Sequence, residues 1–266
     1  IIAVAVFVAV GSSMIRSGDG RTNKYDVEAR NNTYDNAVIE NSKISEKNKI
    51  QNNQSMLDDI MNSTQYPKQL KDLALKNEEA LEFVYDYPAE HVKEHTIDLT
   101  EEASMDSVPL FVQWDKRWGY EKYSGNFFAA SGCGPTTLSM VVVYLTHNRE
   151  ASPIAVAKYS KEAGYSVDGS GSSWTLISEG CMHYGVKAKA VALDESRMKA
   201  ELDEGHPIVV NVGPGDFTDT GHFMVITGYD DEGFSINDPN SIEKSGKRWL
   251  FKNISSQIRA VWSMYV

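Results

Sequence analysis

The stretch SGCGPTTLSM, residues 131–140, places one of the chain's two cysteines, Cys133, between two glycines and just ahead of a proline. Proline is well tolerated in the first turn of a helix, and the apolar run that follows predicts a helix over 134–146 with Cys133 at its start. A helix N-terminus carries partial positive charge and unpaired N–H groups, and both favour a thiolate over a thiol. The flanking glycines are expected to let a substrate backbone come close. A thiolate beside free N–H groups has the makings of a nucleophile with half an oxyanion hole. A free cysteine can also be a small buried residue, and Cys181, in a helical run before Tyr184 and Gly185, is read that way.

A nucleophilic cysteine needs a base. Of six histidines, His222 is the best placed: it opens the apolar stretch HFMVITGYD after the glycine-rich loop GPGDFTDTG. A strand end is a rigid mount, and the loop leaves room for substrate. His206 also precedes a strand, but at a turn before Pro207, and is read as a surface position. The base in turn needs an orienting group. A tight turn near 230–233 would make 222–229 and 234–238 a hairpin. A simple hairpin register sets His222 opposite about residue 241, so twist or a bend at Pro239 must bring Asp238 level with it. Asn237 points to the opposite face and is the weaker candidate.

These groups must be held by a fold. Helical spacing marks 134–146, SPIAVAKYSKEAGY and SSWTLISEGCMHYG; after Lys187 the character becomes β, with PIVVNVG, HFMVITGYD, GFSIND, KRWLFK and RAVWSMYV as short strands. VPLFVQWDKRWGY reads as an extended aromatic run. Helices first and strands afterwards predict an α+β domain with helices packed on an antiparallel sheet. Ahead of it, YPKQLKDLALKNEEALEFVYDYP has near-helical apolar spacing, with Pro67 suited to a start and Pro88 to a stop. The resulting division is an anchor or signal segment at 1–16, a polar stalk or linker at 17–65, a helical extension at 66–104 and the α+β domain at 105–266. Residues 1–10 are ten consecutive apolar residues, and the first residue is not Met. The segment is therefore expected to be the end of a membrane span or of a signal-peptide apolar region, which would put the protein outside the cytoplasmic membrane, anchored or secreted. Residues 17–65 are rich in Asn, Ser, Lys and Asp, as in a tether with at most transient helix. The net charge of −11 argues against a nucleic-acid partner. GSGSSW lacks the Lys-Ser/Thr ending of a phosphate loop and reads as a turn with a serine cap before a helix. HVKEH at 91–95 matches one metallopeptidase pattern, but it runs at once into a strand-like TIDLT with no obvious third ligand, so no metal and no cofactor is implied.

SGCGPTTLSM, GHFMVITGYD and INDP, in that order, resemble papain-like cysteine peptidases of the bacteriocin-leader-processing kind, family thirty-nine of the clan CA cysteine peptidases. The resemblance is closer to the stand-alone domains of bacterial envelope proteins. It covers about 109–266 and takes in FVQWDKRW and GSSWTLISEGCMHYGV. It implies a papain-like fold with Cys133 as nucleophile, His222 as base, Asp238 as its orienting acid and Gln113 as an oxyanion-hole donor. For Gln113 to serve, the intervening loop 120–130 must fold back. The implied activity is cleavage of a peptide or amide bond through a thioester acyl-enzyme, with peptide or protein substrates, or transfer of the acyl group to an amine. The competing reading is a peptide- or cell-wall-binding module on the same fold without the chemistry.

Overall fold

A computed structural model describes the backbone of residues 24–266 and the side chains from residue 42 onward. The expected anchor or signal segment lies outside the described residues. The chain divides into two units, one up to Asn52 and one over Asn53–Val266. Helix α1, Lys24–Asn62, runs through that division, so most of the segment expected as a stalk is regular helix. Its last turns belong to the second unit: Ile60 is fully buried, with Met56 and Leu57 packed in the same cluster. No helix among the described residues is long and apolar enough to cross a membrane.

In the second unit, α2 (Lys68–Lys76) buries Leu70, Leu73 and Ala74, and α3 (Leu81–Tyr85) buries Leu81, Phe83 and Val84. Pro67 precedes α2 as expected, but Pro88 sits inside the first turn of a further helical turn, Tyr87–Glu90, where its missing N–H costs nothing. The aromatic run at 108–120 forms turns and makes no sheet ladder. Its backbone groups bond locally and to the far end of the chain, as in Gln113 N–H to Pro239 C=O at 2.7 Å.

Helix α4, Cys133–Thr146, is buried on every side from Gly134 to Val143, and α5, Pro153–Glu162, packs beside it with Ser152 as its cap. Strand β1 is Lys187–Ala190. Helix α6, Glu195–Asp203, interrupts the stretch expected to be all β. Strands β2 (Ile208–Val212), β3 (His222–Asp230) and β4 (Gly233–Asn237) follow. After the short helix α7, Ile242–Ser245, the expected strand KRWLFK shrinks to β5, Arg248–Trp249, and Phe251–Ile254 turns helical. Strand β6 is Ile258–Tyr265. All pairs are antiparallel, in the order β1-β6-β2-β3-β4-β5.

Both faces of the sheet centre are dry. On β2 and β3, Val209, Phe223 and Val225 face the core built on Leu138, Val141 and Val142 of α4. The alternate residues Ile208, Val210, Met224 and Ile226 face a second core with Met198 of α6 and Ile236 of β4. Each such side chain contributes roughly 1.5–3 kcal/mol when fully buried. A one-residue slip would turn every one of them to the wrong face, so the register that carries the site is fixed from both sides.

Candidate active site

Cys133 is the first residue of α4 and is half-buried. The flanking glycines have packing reasons of their own. A Cβ on Gly132 would lie 2.6 Å from the Phe128 ring, and one on Gly134 would lie 2.6 Å from Ser172 Oγ and 2.8 Å from Ser172 Cβ. They bring neighbouring chain segments against the helix start on either side of the thiol.

His222 opens β3 and pairs with Val212. Its Nε2 donates to Asp238 Oδ1 at 2.7 Å, which leaves Nδ1 for the thiol, and the imidazole and the Cys133 sulfur are within hydrogen-bond reach. Asp238 is fully buried. Two features close the register gap. A bulge at Thr227 shifts the β3–β4 pairing by one, so that Val225 opposes Asn237. The chain then turns back at Pro239, with Asp238 bridging to Ser241. Asp238 Oδ1 also accepts from Asn240 N–H at 2.8 Å, and the Asp238 N–H donates to Ser245 Oγ at 2.9 Å. Asn237 faces away, and its Nδ2 donates to the carbonyls of Val108 and Pro109, both at 3.1 Å.

Gln113 comes close because the chain between it and Cys133 doubles back. Lys122–Tyr123 pairs with Asn126–Phe127 around a Ser124–Gly125 tip with both φ angles positive, 53° and 77°. The buried Gln113 side chain donates through Nε2 to Ala129 C=O at 2.7 Å, and Oε1 has no hydrogen-bond partner among the described residues. A carboxamide nitrogen carries two hydrogens, so one remains for an acceptor in the groove. His206 lies elsewhere, 3.3 Å from Glu201 Oε2.

The electrostatics centre on the Cys133–His222 pair. Burial pushes the thiol up, but the imidazolium beside it and the N–H groups of Phe223 and Gly134 more than offset that, and the thiol sits below its ordinary value. Burial would lower His222, yet the Asp238 carboxylate and the thiolate raise it to about 10. Each group therefore favours the charged form of the other, which biases the pair toward thiolate and imidazolium. Cys181 is the contrast: fully buried, it is pushed up to about 11 by desolvation and stays a thiol.

Cys133 lies between two cavities. One, of about 680 Å³, is walled by 124–126, 169–172, Trp174, Phe223 and Arg259; the other, of about 510 Å³, holds His222 and Gln113. His222 and Phe223, neighbours on a strand, point to opposite sides and line opposite halves of one groove. The GSGSSW loop supplies the first wall: Gly169 N–H donates to Ser124 C=O and Gly171 N–H to Ser124 Oγ, both at 2.9 Å. Away from the groove, Glu201, Glu204 and His206 present ligand atoms within 4.8 Å of one another. Lys189 Nζ already sits 2.9 Å from Glu201 and, as the main cause, holds that carboxyl down to about 2.

Sequence reading missed the residues that brace Asp238 from outside its own strand. Glu79 and Asn77 lie 163 positions from Ile242 and Asn240, the residues they bond in the turn after Asp238, and no local pattern marks such a contact.

A helix-start cysteine packed against an antiparallel sheet, facing a strand-end histidine, defines a papain-like α+β fold. The chain belongs to the Peptidase_C39 like family, which it matches over residues 105–266. Among solved structures, the peptidase domain of Streptococcus ComA, a bi-functional ABC transporter involved in a quorum sensing pathway, is 20% identical with a TM-score of 0.41, over 51% of this chain and 90% of that one. A C39-like peptidase from Bacillus anthracis is 18% identical with a TM-score of 0.37, over 60% of this chain and 95% of that one. No curated protein matches the chain.

Proposed function

We propose that the chain is a cysteine peptidase that cleaves a peptide bond through a thioester at Cys133, with His222 and Asp238 as the other members of its triad. One observation carries the reading: a half-exposed thiol lies at the middle of a groove, within hydrogen-bond reach of an imidazole whose far nitrogen is 2.7 Å from a fully buried carboxylate. Burial of Asp238 with two donors on Oδ1 keeps the imidazole ring fixed.

The thiolate attacks the carbonyl carbon of the bound peptide. The oxyanion so formed takes hydrogen bonds from the Cys133 N–H, at the open start of α4, and from the free Nε2 hydrogen of Gln113. His222 gives its Nδ1 proton to the departing nitrogen, the C–N bond breaks, and a thioester remains with a neutral imidazole. That imidazole takes a proton from water, hydroxide attacks the thioester, and the carboxylic acid leaves with the thiolate restored. Asp238 holds the ring in one tautomer throughout. Because His222 must reach the leaving nitrogen, the half of the groove it lines takes the leaving side, and the larger half takes the acyl side.

The apolar run at residues 1–10 supports placing this activity outside the cytoplasmic membrane. The test of function is mass-spectrometric detection of cleavage in a decapeptide library, with Cys133→Ala as control. Cleavage by the wild type alone is expected. Tight peptide binding by both proteins without cleavage would instead make the domain a binding module.

A further inference from the structure

We infer that the segment 67–79, which precedes the residues matching the family, is a working part of the active site: it walls the leaving side of the groove and positions the loop that carries Asp238. The inference rests on the peptidase reading for its substrate half and on geometry alone for its positioning half.

The wall comes first. The cavity that holds His222 and Gln113 is closed on one side by Gln69, Asp72, Leu73 and Lys76 of α2 and by Asn77. The loop 215–221, with Asp216 and Asp219, and Lys244 of α7 line the same cavity. Leu73 is nearly buried, so α2 is seated by its apolar face and turns a polar one to the groove. The acyl half has a different character: among the described residues Arg259 is the sole charged one in its lining, and the rest is largely glycine, serine and asparagine. The leaving half thus suits a polar peptide segment that extends several residues beyond the cut bond, and α2 supplies one wall of the surface that would read it.

The positioning contacts are independent of any substrate. Glu79 accepts from the N–H of Ile242 at 2.7 Å and of Glu243 at 3.1 Å, and from Ser241 Oγ. Asn77 Nδ2 donates to Asn240 C=O at 2.9 Å. The four residues so held, Asn240 to Glu243, form the turn that follows Asp238. Ser241 N–H donates to Asp238 C=O at 3.2 Å, and Ser245, one turn on, holds the Asp238 N–H. Glu79 therefore fixes α7, and α7 fixes the carboxylate that orients His222. Glu79 is a positioning residue: it touches no reacting atom.

Two measurements on the full chain test the two halves. The first is the pH profile of iodoacetamide alkylation at Cys133, read by mass spectrometry, which needs no substrate. Glu79→Ala should move the inflection upward by roughly one unit, because a displaced carboxylate supports the imidazolium less. Glu79→Gln, which keeps an acceptor, should fall between. Asn77→Ala is the second variant should Glu79→Ala not fold. Profiles that superimpose on the wild type in folded variants would overturn the positioning role. The second is cleavage of the decapeptide library by Gln69→Ala/Lys76→Ala. Residue preferences on the leaving side should flatten by several-fold while those on the acyl side hold. An unchanged leaving-side profile would overturn the wall's role. A wild type that cleaves no library member, with the alkylation profile still shifted by Glu79→Ala, would overturn the peptidase reading and leave the positioning role standing.

Discussion

At the scale of single residues, the site is a proton inventory. The imidazole is raised to about 10 by Asp238 and the thiolate, and the thiol is lowered by His222 and two N–H groups. Alkylation reports the thiolate, so its rate should stay on a plateau well to the acid side of a free cysteine, which titrates near ~8.5. His222→Ala removes the largest influence opposing desolvation of the half-buried thiol, and the inflection should climb to the free value or above it. Asp238→Asn keeps a ring contact but not the charge, so the inflection should rise less. An alkylation profile in His222→Ala that matches the wild type would show that α4 alone activates the sulfur. Gln113→Ala is the complementary case. It leaves the thiolate pair untouched and removes one oxyanion donor, which costs about 10²–10³ in kcat. Turnover of any peptide the wild type cleaves should fall by that factor while the alkylation profile stays where it was. Cys133, His222 and Asp238 were readable as candidates because each sits at an element's end that sequence marks: a Gly-Pro helix start, a loop-to-strand junction, a strand followed by proline. Gln113 had no such mark. Its place depends on a chain reversal at Ser124–Gly125, and a Ser-Gly pair among aromatics does not announce one.

At the scale of elements, the reading succeeded where a repeat pattern was enforced by burial on known faces. β2, β3, β4 and β6 and the start of α4 lie where alternation and helical spacing put them. It failed where polar residues formed the element. Helix α6 has one buried residue, Met198, and carries instead an Asp194 cap that accepts from Arg197 N–H at 3.0 Å; that cap was the usable signal. KRWLFK failed for a related reason: at the sheet edge only Arg248 and Trp249 find partners, and the chain turns helical once no neighbour remains. The close approach of α4 to the 171–172 strand is a packing claim with its own test. Gly134→Ala would force its Cβ against Ser172 Cβ and Oγ. Overpacking of this kind costs about 1–3 kcal/mol, and the shift falls on the residue next to the nucleophile, so both urea stability and alkylation rate should drop. Ser172→Gly empties that space, and the double variant should regain most of both losses. Additive losses in the double variant would place the strain elsewhere.

At the scale of the whole molecule, the question is where the working body starts. Composition sets the boundary near 65/66, because 17–65 has little apolar content. The structure sets the second unit's start at Asn53. The difference lies in three residues. Met56, Leu57 and Ile60 share one face of the end of α1 and join Leu70, Leu73, Leu81 and Val84, the cluster on which α2 is seated. A few apolar residues at i, i+1 and i+4 in a polar helix are too sparse to raise average hydropathy, but they suffice to dock one turn. Lys71 Nζ adds hydrogen bonds to the carbonyls of Met61 and Ser63 at 2.9 and 2.7 Å, at the helix end where a cation is favoured. Residues before Asn53 should therefore be dispensable to the second unit, and those from Asn53 to Gln65 should not. A fragment 53–266 should match the full chain in its urea midpoint. A fragment 66–266 loses the burial of Ile60, about 1.5–3 kcal/mol from that side chain alone, and for a domain of this size should melt lower by several degrees, at ~2–4 °C per kcal/mol. Since α2 loses its support in the shorter fragment, the effect should extend to the groove, with the Cys133 alkylation inflection moving upward as expected for Glu79→Ala. Equal melting of the two fragments would return the boundary to residue 66 and reduce the end of α1 to a solvated tail.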